Sequence, residues 1–374
     1  MQKKKIDTVQ RAFFVLLRAG LWEKDVKLLP FGEIDFSAVY DLAEEQSVVG
    51  IIAAGLEHVI DMRIAKKDVV QFIGRTVHIE QKNHRMNDFL AELIKKMRKA
   101  GIYAFLVKGQ GVAQCYERPM WRSSGDVDFF LSDENYEKAK LFLLPLATHV
   151  ENEYKSVKHL GLTLDPWVIE LHGSLRMGLP RRINRVLDEI GRDTFDGDVR
   201  TWDNGNSQFF LLSKENDVVY VFVHFFNHFY KGGLGLRQIC DWCRLMWAFR
   251  ETLDAKKVES LIKKMGLVNE WKAFASLVVD YLGMDSSVIP MYEDAPRWKK
   301  KAARIRDFVM SVGNMGHNRD MNYYSKYPYL IRKCISMSQR ISDLIRHSRV
   351  FPSNSLLFFP TIMINGLRSA VNGE

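Results

Sequence analysis

Asp126 and Asp128 stand at the head of an apolar run, Ser124-Gly125-Asp126-Val127-Asp128-Phe129-Phe130-Leu131. On a strand, successive side chains alternate faces, so both carboxylates point one way while Val127 and Phe129 point the other. Like charges then sit roughly 7 Å apart along the backbone. A divalent cation relieves that conflict, and hard cations such as Mg²⁺ take one or two carboxylates plus substrate phosphates. The pair therefore fits a metal-nucleotide site. Taken alone, it equally fits two solvated acids at the start of a strand.

The elements around the pair bear on that choice. Phe105 to Val107 reads as a strand that ends at Lys108-Gly109, followed by a glycine turn (Gly109, Gly111) and a short helix. In that geometry backbone N–H groups and a helix N-terminus can hold phosphate. Lys108 adds a positive charge, and Arg118 and Arg122 lie in the loop that leads to the acids. Without the acids, the same turn would be an ordinary strand-to-helix connection. Further on, in Trp167-Val168-Ile169-Glu170-Leu171-His172, Glu170 and His172 share one face of a second candidate strand, with Ile169 and Leu171 on the other.

Lys-Gly, a short helix, an Arg in the loop and Gly-Asp-x-Asp followed by apolar residues resemble the uncharacterised nucleotidyltransferase family of the DNA polymerase β-like superfamily. The Glu-Leu-His segment at 170–172 matches as well. The resemblance implies a third acid on a later strand, for which this chain offers Glu170. It implies an α+β fold: a small mixed polymerase β-like sheet flanked by helices, with helical N- and C-terminal regions. It further implies a transferase that moves NMP from an NTP to an acceptor. Asp126, Asp128 and Glu170 would then be catalytic and hold Mg²⁺ or Mn²⁺, with Lys108, Gly109, Gln110, Arg122 and Ser124 around the nucleotide and His172 supporting Glu170. The chain carries Gly109-Gln110 where most of the superfamily has Gly-Ser, and Gly125 where many relatives have Ser before the acids. A His followed by Gly-Leu-Arg and an Asp is matched by His224, Gly235-Leu236-Arg237 and Asp241, which would line an acceptor pocket. Arg237 and Asp241, one helical turn apart, would also make a simple ion pair.

The whole chain has 374 residues, 47% hydrophobic and 26% charged, the profile of a globular protein long enough for more than one unit. Three regions are expected: helical 1–100 packing on the core, the nucleotidyltransferase core 101–206, and helical 207–374. Four cysteines are too few and too scattered for a disulfide framework, which points to a reducing compartment. No signal-peptide core or membrane-length apolar run is apparent, so the cytoplasm is expected. The net charge of +9 is concentrated between Pro296 and Val350, where thirteen Lys or Arg face three Asp. That segment reads as a solvated helix face or as a surface for nucleic acid, polyphosphate or acidic lipid, with nucleic acid not favoured.

The apolar spacing predicts helices near Phe13 to Leu17, over 35–59 and over 66–99, the last ended by Gly101. Ser132 should cap a helix to about Leu144, stopped by Pro145, and short strands are expected at 150–154, 160–164 and 167–171. From Arg181 the pattern reads as mainly helical, with Ser213 capping a helix to Tyr230, Gly232-Gly233 ending it and another helix over 236–249. Phe351 to Ile364 should dock on the core. His224 and His228 have metal-ligand spacing, but Phe225 stands where a zinc protease needs its Glu, so they read as helix histidines facing core or cleft. Cys240 and Cys243 read as buried free thiols. A binding module of the same fold without turnover, and a glycosyltransferase using Asp-x-Asp, are the alternatives. A hundred helical residues before the motif argue against the latter.

Overall fold

The apolar run before Lys108 forms β1 (Phe105–Val107), and Val127–Phe130, which includes Asp128 but starts one residue after Asp126, forms β2, so only one of the two acids expected on that strand lies on it. They pair antiparallel, with Val107 opposite Asp128. On the other side of β2 runs β5 (Trp167–His172), parallel and in a register that sets Glu170 beside Asp128. β4 (His159–Leu164) and β3 (His149–Val150) continue antiparallel beyond it. On the far side of β1 lies a hairpin of β6 (Val199–Asn204) and β7 (Ser207–Leu212), with β7 parallel to β1. The result is one mixed seven-stranded sheet in the order β3-β4-β5-β2-β1-β7-β6. The structure, a computed structural model, describes residues 2–205, 207–231, 233–314, 317 and 327–360.

Alternation sorts the side chains of the sheet. Leu106, Val127, Phe129, Ile169, Leu171 and Leu211 bury together with Met86, Leu90 and Ile94 of α4 (Lys66–Lys99) and with Tyr136 and Ala139 of α6 (Asp133–Leu143). The opposite face carries Asp128, Glu170 and His172. Next to them, Phe130 stacks on Phe195 at the end of α7 (Arg181–Phe195), ring centroids 4.7 Å apart. α4 has the expected limits, and Gly101 follows it at φ +69°. Ser132 accepts from the Asn135 N–H to cap α6, and a 3-10 turn at Leu144–Leu146, built around Pro145, ends it.

At the N-terminus, α1 (Gln2–Trp22), α2 (Phe36–Glu45) and α3 (Val49–Glu57) join the larger apolar core. α1 and α3 cross at glycines. A Cβ on Gly20 would lie 1.8 Å from the Ile51 carbonyl oxygen, and one on Gly55 would lie 2.0 Å from that of Leu16. The C-terminal half is built on α8 (Lys214–Lys231), α9 (Leu236–Ala248), α10 (Ala255–Met265) and α11 (Val268–Leu282). Phe222, Phe225, Trp242, Trp271 and Phe274 form its aromatic centre. α12 (Pro296–Val312) and α13 (Tyr329–Ser348) carry most of the basic segment, of which residues 315–316 and 318–326 lie outside the described residues. Of the C-terminal tail, Phe351 and Phe358 are buried, with Phe358 stacked on Tyr230, and residues 361–364 lie outside the described part. The Gly233 N–H reaches the His228 carbonyl at 3.1 Å and closes α8, while Gly232 is not among the described residues. The Ser213 hydroxyl donates to Asp198.

Two expectations need correcting. The strand expected at 150–154 is only the short β3, followed by an isolated bridge between Tyr154 and His159. Val150 and Tyr154 are exposed, so no buried face holds a longer register. The region from Arg181, expected as mainly helical, also holds the β6–β7 hairpin, which extends the sheet. Asn204-Gly205, with Gly205 at φ +59°, turns the chain between Trp202 and Phe209, and the Phe209 side of β7 is buried against the sheet's helices.

Candidate active site

Adjacent β2 and β5 put Asp128 and Glu170 side by side, and Asp126 reaches the same point from the loop just before β2. The carboxylate oxygens of Asp126, Asp128 and Glu170 lie within 4.8 Å of one another. Asp128 is buried at 2% exposure, with Lys108 Nζ at 2.6 Å and His172 Nε2 at 2.9 Å from its Oδ1. Glu170 Oε2 takes His159 Nε2 at 3.2 Å and His172 Nε2 at 3.4 Å. Lys108 also lies 3.0 Å from His224 Nε2 on α8, and His224 lies 3.3 Å from His228.

The electrostatics follow from this crowding. The charge of Asp128, then burial, push the Asp126 carboxyl above the usual carboxylate range, with Lys108 opposing. Burial pushes Glu170 upward, but hydrogen bonds from His159 and His172 and the charge of Lys108 outweigh it and hold Glu170 well below its ordinary value. Burial disfavours the Lys108 ammonium, and Asp128 more than offsets that, so its pKa is raised. His172 is raised too, since its bonds to Asp128 and Glu170 outweigh burial. His224 is lowered by burial, Lys108 and His228, and burial with Lys108 brings His228 down to about 4.

Three carboxylates gathered at one point, one of them strained toward protonation by its neighbour, are the donor set a hard divalent cation uses. Ser124 Oγ, two residues before Asp126, and Nε of Arg237, whose guanidinium lies beside Gly125, are buried with no hydrogen-bond partner. These residues fit a cation and the oxygens of its ligand. A second group, His159, Glu170 and His172, also brings its ligand atoms within 4.8 Å.

The remaining candidates are placed differently. Lys108, at φ +58°, and Gly109, at φ +45°, make the turn after β1, where a Cβ on Gly109 would lie 3.6 Å from the Asp126 carbonyl oxygen. Gln110 is 3% exposed and donates to Asn87 of α4 at 2.7 Å. Arg122 is 4% exposed and forks onto both oxygens of Asp241, each at 2.7 Å, while the Tyr116 hydroxyl donates to the same carboxylate at 2.8 Å. Asp241 is thus paired with Arg122, whereas Arg237 donates to the Ser123 carbonyl at 3.0 Å. Asn83 of α4 donates to the Met120 and Arg122 carbonyls and fastens the same loop. The three buried cysteines, Cys115, Cys240 and Cys243, are free thiols.

Sequence reasoning missed His159 and Lys82. Counting back from the Asp165-Pro166 turn pairs Leu164 with Trp167 and then His159 with His172, so the first was readable once the hairpin was assumed. Lys82 donates to the Ser124 carbonyl at 3.3 Å from a long helix whose sequence gives no sign of it.

A family model described as "Uncharacterised nucleotidyltransferase" matches residues 32–283. The chain belongs to this family. Its matched segment contains every strand of the sheet and all three acids. Among solved structures, an antigenic nucleotidyltransferase-like protein from Paracoccidioides brasiliensis matches at 12% identity and a TM-score of 0.34, covering 55% of this chain and 93% of that one. The search of curated proteins gave no match. Among the described residues no helix is long and apolar enough to cross a membrane.

Proposed function

We propose that the chain is a metal-dependent nucleotidyltransferase that moves a nucleoside monophosphate from an NTP to an acceptor and releases pyrophosphate. The observation that carries this reading is the convergence of Asp126, Asp128 and Glu170, whose oxygens lie within 4.8 Å of one another. Those three carboxylates would hold Mg²⁺ or Mn²⁺, which when bound neutralises charge on the phosphates and on the departing pyrophosphate. The protein's own groups do the rest. His159 and His172 aim Glu170 at the acids, and Lys108 neutralises Asp128 from behind. Held well below its ordinary value by those partners, Glu170 stays ionised, the form in which a carboxylate holds a metal. The Gly109 turn brings backbone close to Asp126.

Incubating the protein with labelled NTPs and Mg²⁺ or Mn²⁺ tests this. Transfer of labelled nucleotide that is lost in Asp128→Ala supports it. No binding or transfer, or an Asp128→Ala protein indistinguishable from wild type, overturns it. One observation favours a second reading, a nucleotide-binding module without turnover: Gln110, at the position of the superfamily's hydroxyl, is turned to Asn87. Calorimetry showing NTP binding with no product after long incubation would select that reading.

A further inference from the structure

We propose that Lys82, Ser124 and Arg237 form the subsite that grips the phosphate chain of the nucleotide, a role that Arg122 and Gln110 do not fill. The proposal rests on the nucleotidyltransferase reading. Arg122 is consumed by Asp241, and Gln110 spends its amide NH₂ on Asn87, which leaves only an acceptor oxygen, Oε1, that cannot donate to a phosphate. Around the Ser123-Ser124-Gly125 backbone the opposite holds. Arg237 spends Nη1 on the Ser123 carbonyl, and its Nε is buried without a partner. A Cβ built on Gly125 would lie 3.8 and 3.9 Å from Nη1 and Nη2, so the guanidinium lies against the residue just before Asp126. Ser124 Oγ, buried and unpartnered, is the second orphan at the same spot. Lys82 reaches in from α4 to the Ser124 carbonyl.

Two cations and a hydroxyl thus converge beside the acids, and neither Lys82 nor Arg237 forms an ion pair among the described residues. Buried polar atoms of folded proteins almost always have partners, so two orphaned ones in a cationic corner point to a missing acceptor. The electrostatics agree. Burial, then Arg237 and Arg75, depress Lys82, and burial, then Arg122, depress Arg237, with Asp126 the acid that opposes both. A polyanion supplies what is lacking: a guanidinium fork, an ammonium and a hydroxyl match phosphate oxygens, and the first two are relieved of mutual repulsion. Held there, the phosphates would lie alongside Asp126, one of the three acids that would hold the metal.

Titration calorimetry of the full chain with inorganic tripolyphosphate, without divalent cation, tests the subsite apart from catalysis. Arg237→Gln and Lys82→Gln should each weaken binding about tenfold or more, the scale of one charge-assisted hydrogen bond, while Arg237→Lys recovers part of the loss. Lys95→Gln, an exposed cation on the same helix, should leave it unchanged. Should Arg237→Gln fail to fold by circular dichroism, Lys82→Gln and Ser124→Ala carry the test. Equal losses in Lys95→Gln and Arg237→Gln, or no loss in any variant, overturn the subsite. A wild type that transfers nucleotide, with an unchanged KM for NTP in Arg237→Gln, removes the subsite and leaves the reaction standing. Tripolyphosphate binding through Arg237 in a protein that transfers nothing keeps the subsite and removes the reaction.

Discussion

Asp128 sits between Lys108 and His172, and Glu170 between the rings of His159 and His172, so both acids are fixed by basic neighbours gathered from β4, β5 and the turn after β1. His224 and His228 extend this network into α8 as neutral rings, and that has a measurable cost in acid. His228 titrates at about 4 in the fold against an ordinary 6.5. Between those values the unfolded chain binds the extra proton, so the ring's contribution to stability is complete above 6.5 and is lost as pH falls toward 4. Between pH 7 and 5 that loss is about 2 kcal/mol. Denaturant midpoints should fall over that interval in wild type and fall less in His228→Asn. Equal slopes in the two proteins would remove His228 as the source.

Among the elements, the loop between α5 (Gly109–Ala113) and β2 is held from two sides, by Asn83 of α4 and Asp241 of α9. Arg122 and Asp241 form a buried fork between that loop and α9, so Asp241→Ala, which leaves a buried guanidinium unpaired, should cost about 3–5 kcal/mol. Arg122→Met with Asp241→Leu should recover much of that in the melting temperature, and a double variant no better than the single would show that the pair matters for more than its charges. Two helical glycines give a second contrast. Gly20→Ala forces a methyl into the Ile51 backbone and should lower the melting point, whereas Gly74→Ala on α4 meets nothing within 4 Å and should gain about 0.5–1 kcal/mol. Chemical denaturation of both variants checks the pair, and a stabilised Gly20→Ala would contradict the close crossing.

Much of this was readable from residue order. Asp126, Asp128 and Glu170 announced themselves by alternation and by family likeness, and α4 by unbroken helical spacing up to Gly101. What stayed hidden were facts of pairing. Nothing local shows that Arg122 reaches Asp241, which lies 119 residues further along the chain, or that Gln110 turns inward to Asn87. The β6–β7 hairpin was missed although Asn204-Gly205 marks its turn, because the helical stretches on either side dominated the pattern.

At the scale of the molecule, the sheet and the helical halves share one structure. β7 begins at Ser207 and pairs with β1, so a boundary at 206 falls inside a hairpin. A fragment of residues 101–206 would lose β7, the α4 cover over Leu106 and Phe129, and α8 beneath Lys108. It should be insoluble or unstructured by circular dichroism, and a soluble, cooperatively melting fragment would refute that.

The fork between Arg122 and Asp241 has one more consequence. Because the loop that leads to the acids is bolted to a helix of the C-terminal half, the acid cluster and that half cannot shift independently. Exchanging C-terminal halves between relatives would split that bolt, so hybrids cut between β7 and α9 should keep their shape only where the second parent also supplies an acid at the place of Asp241.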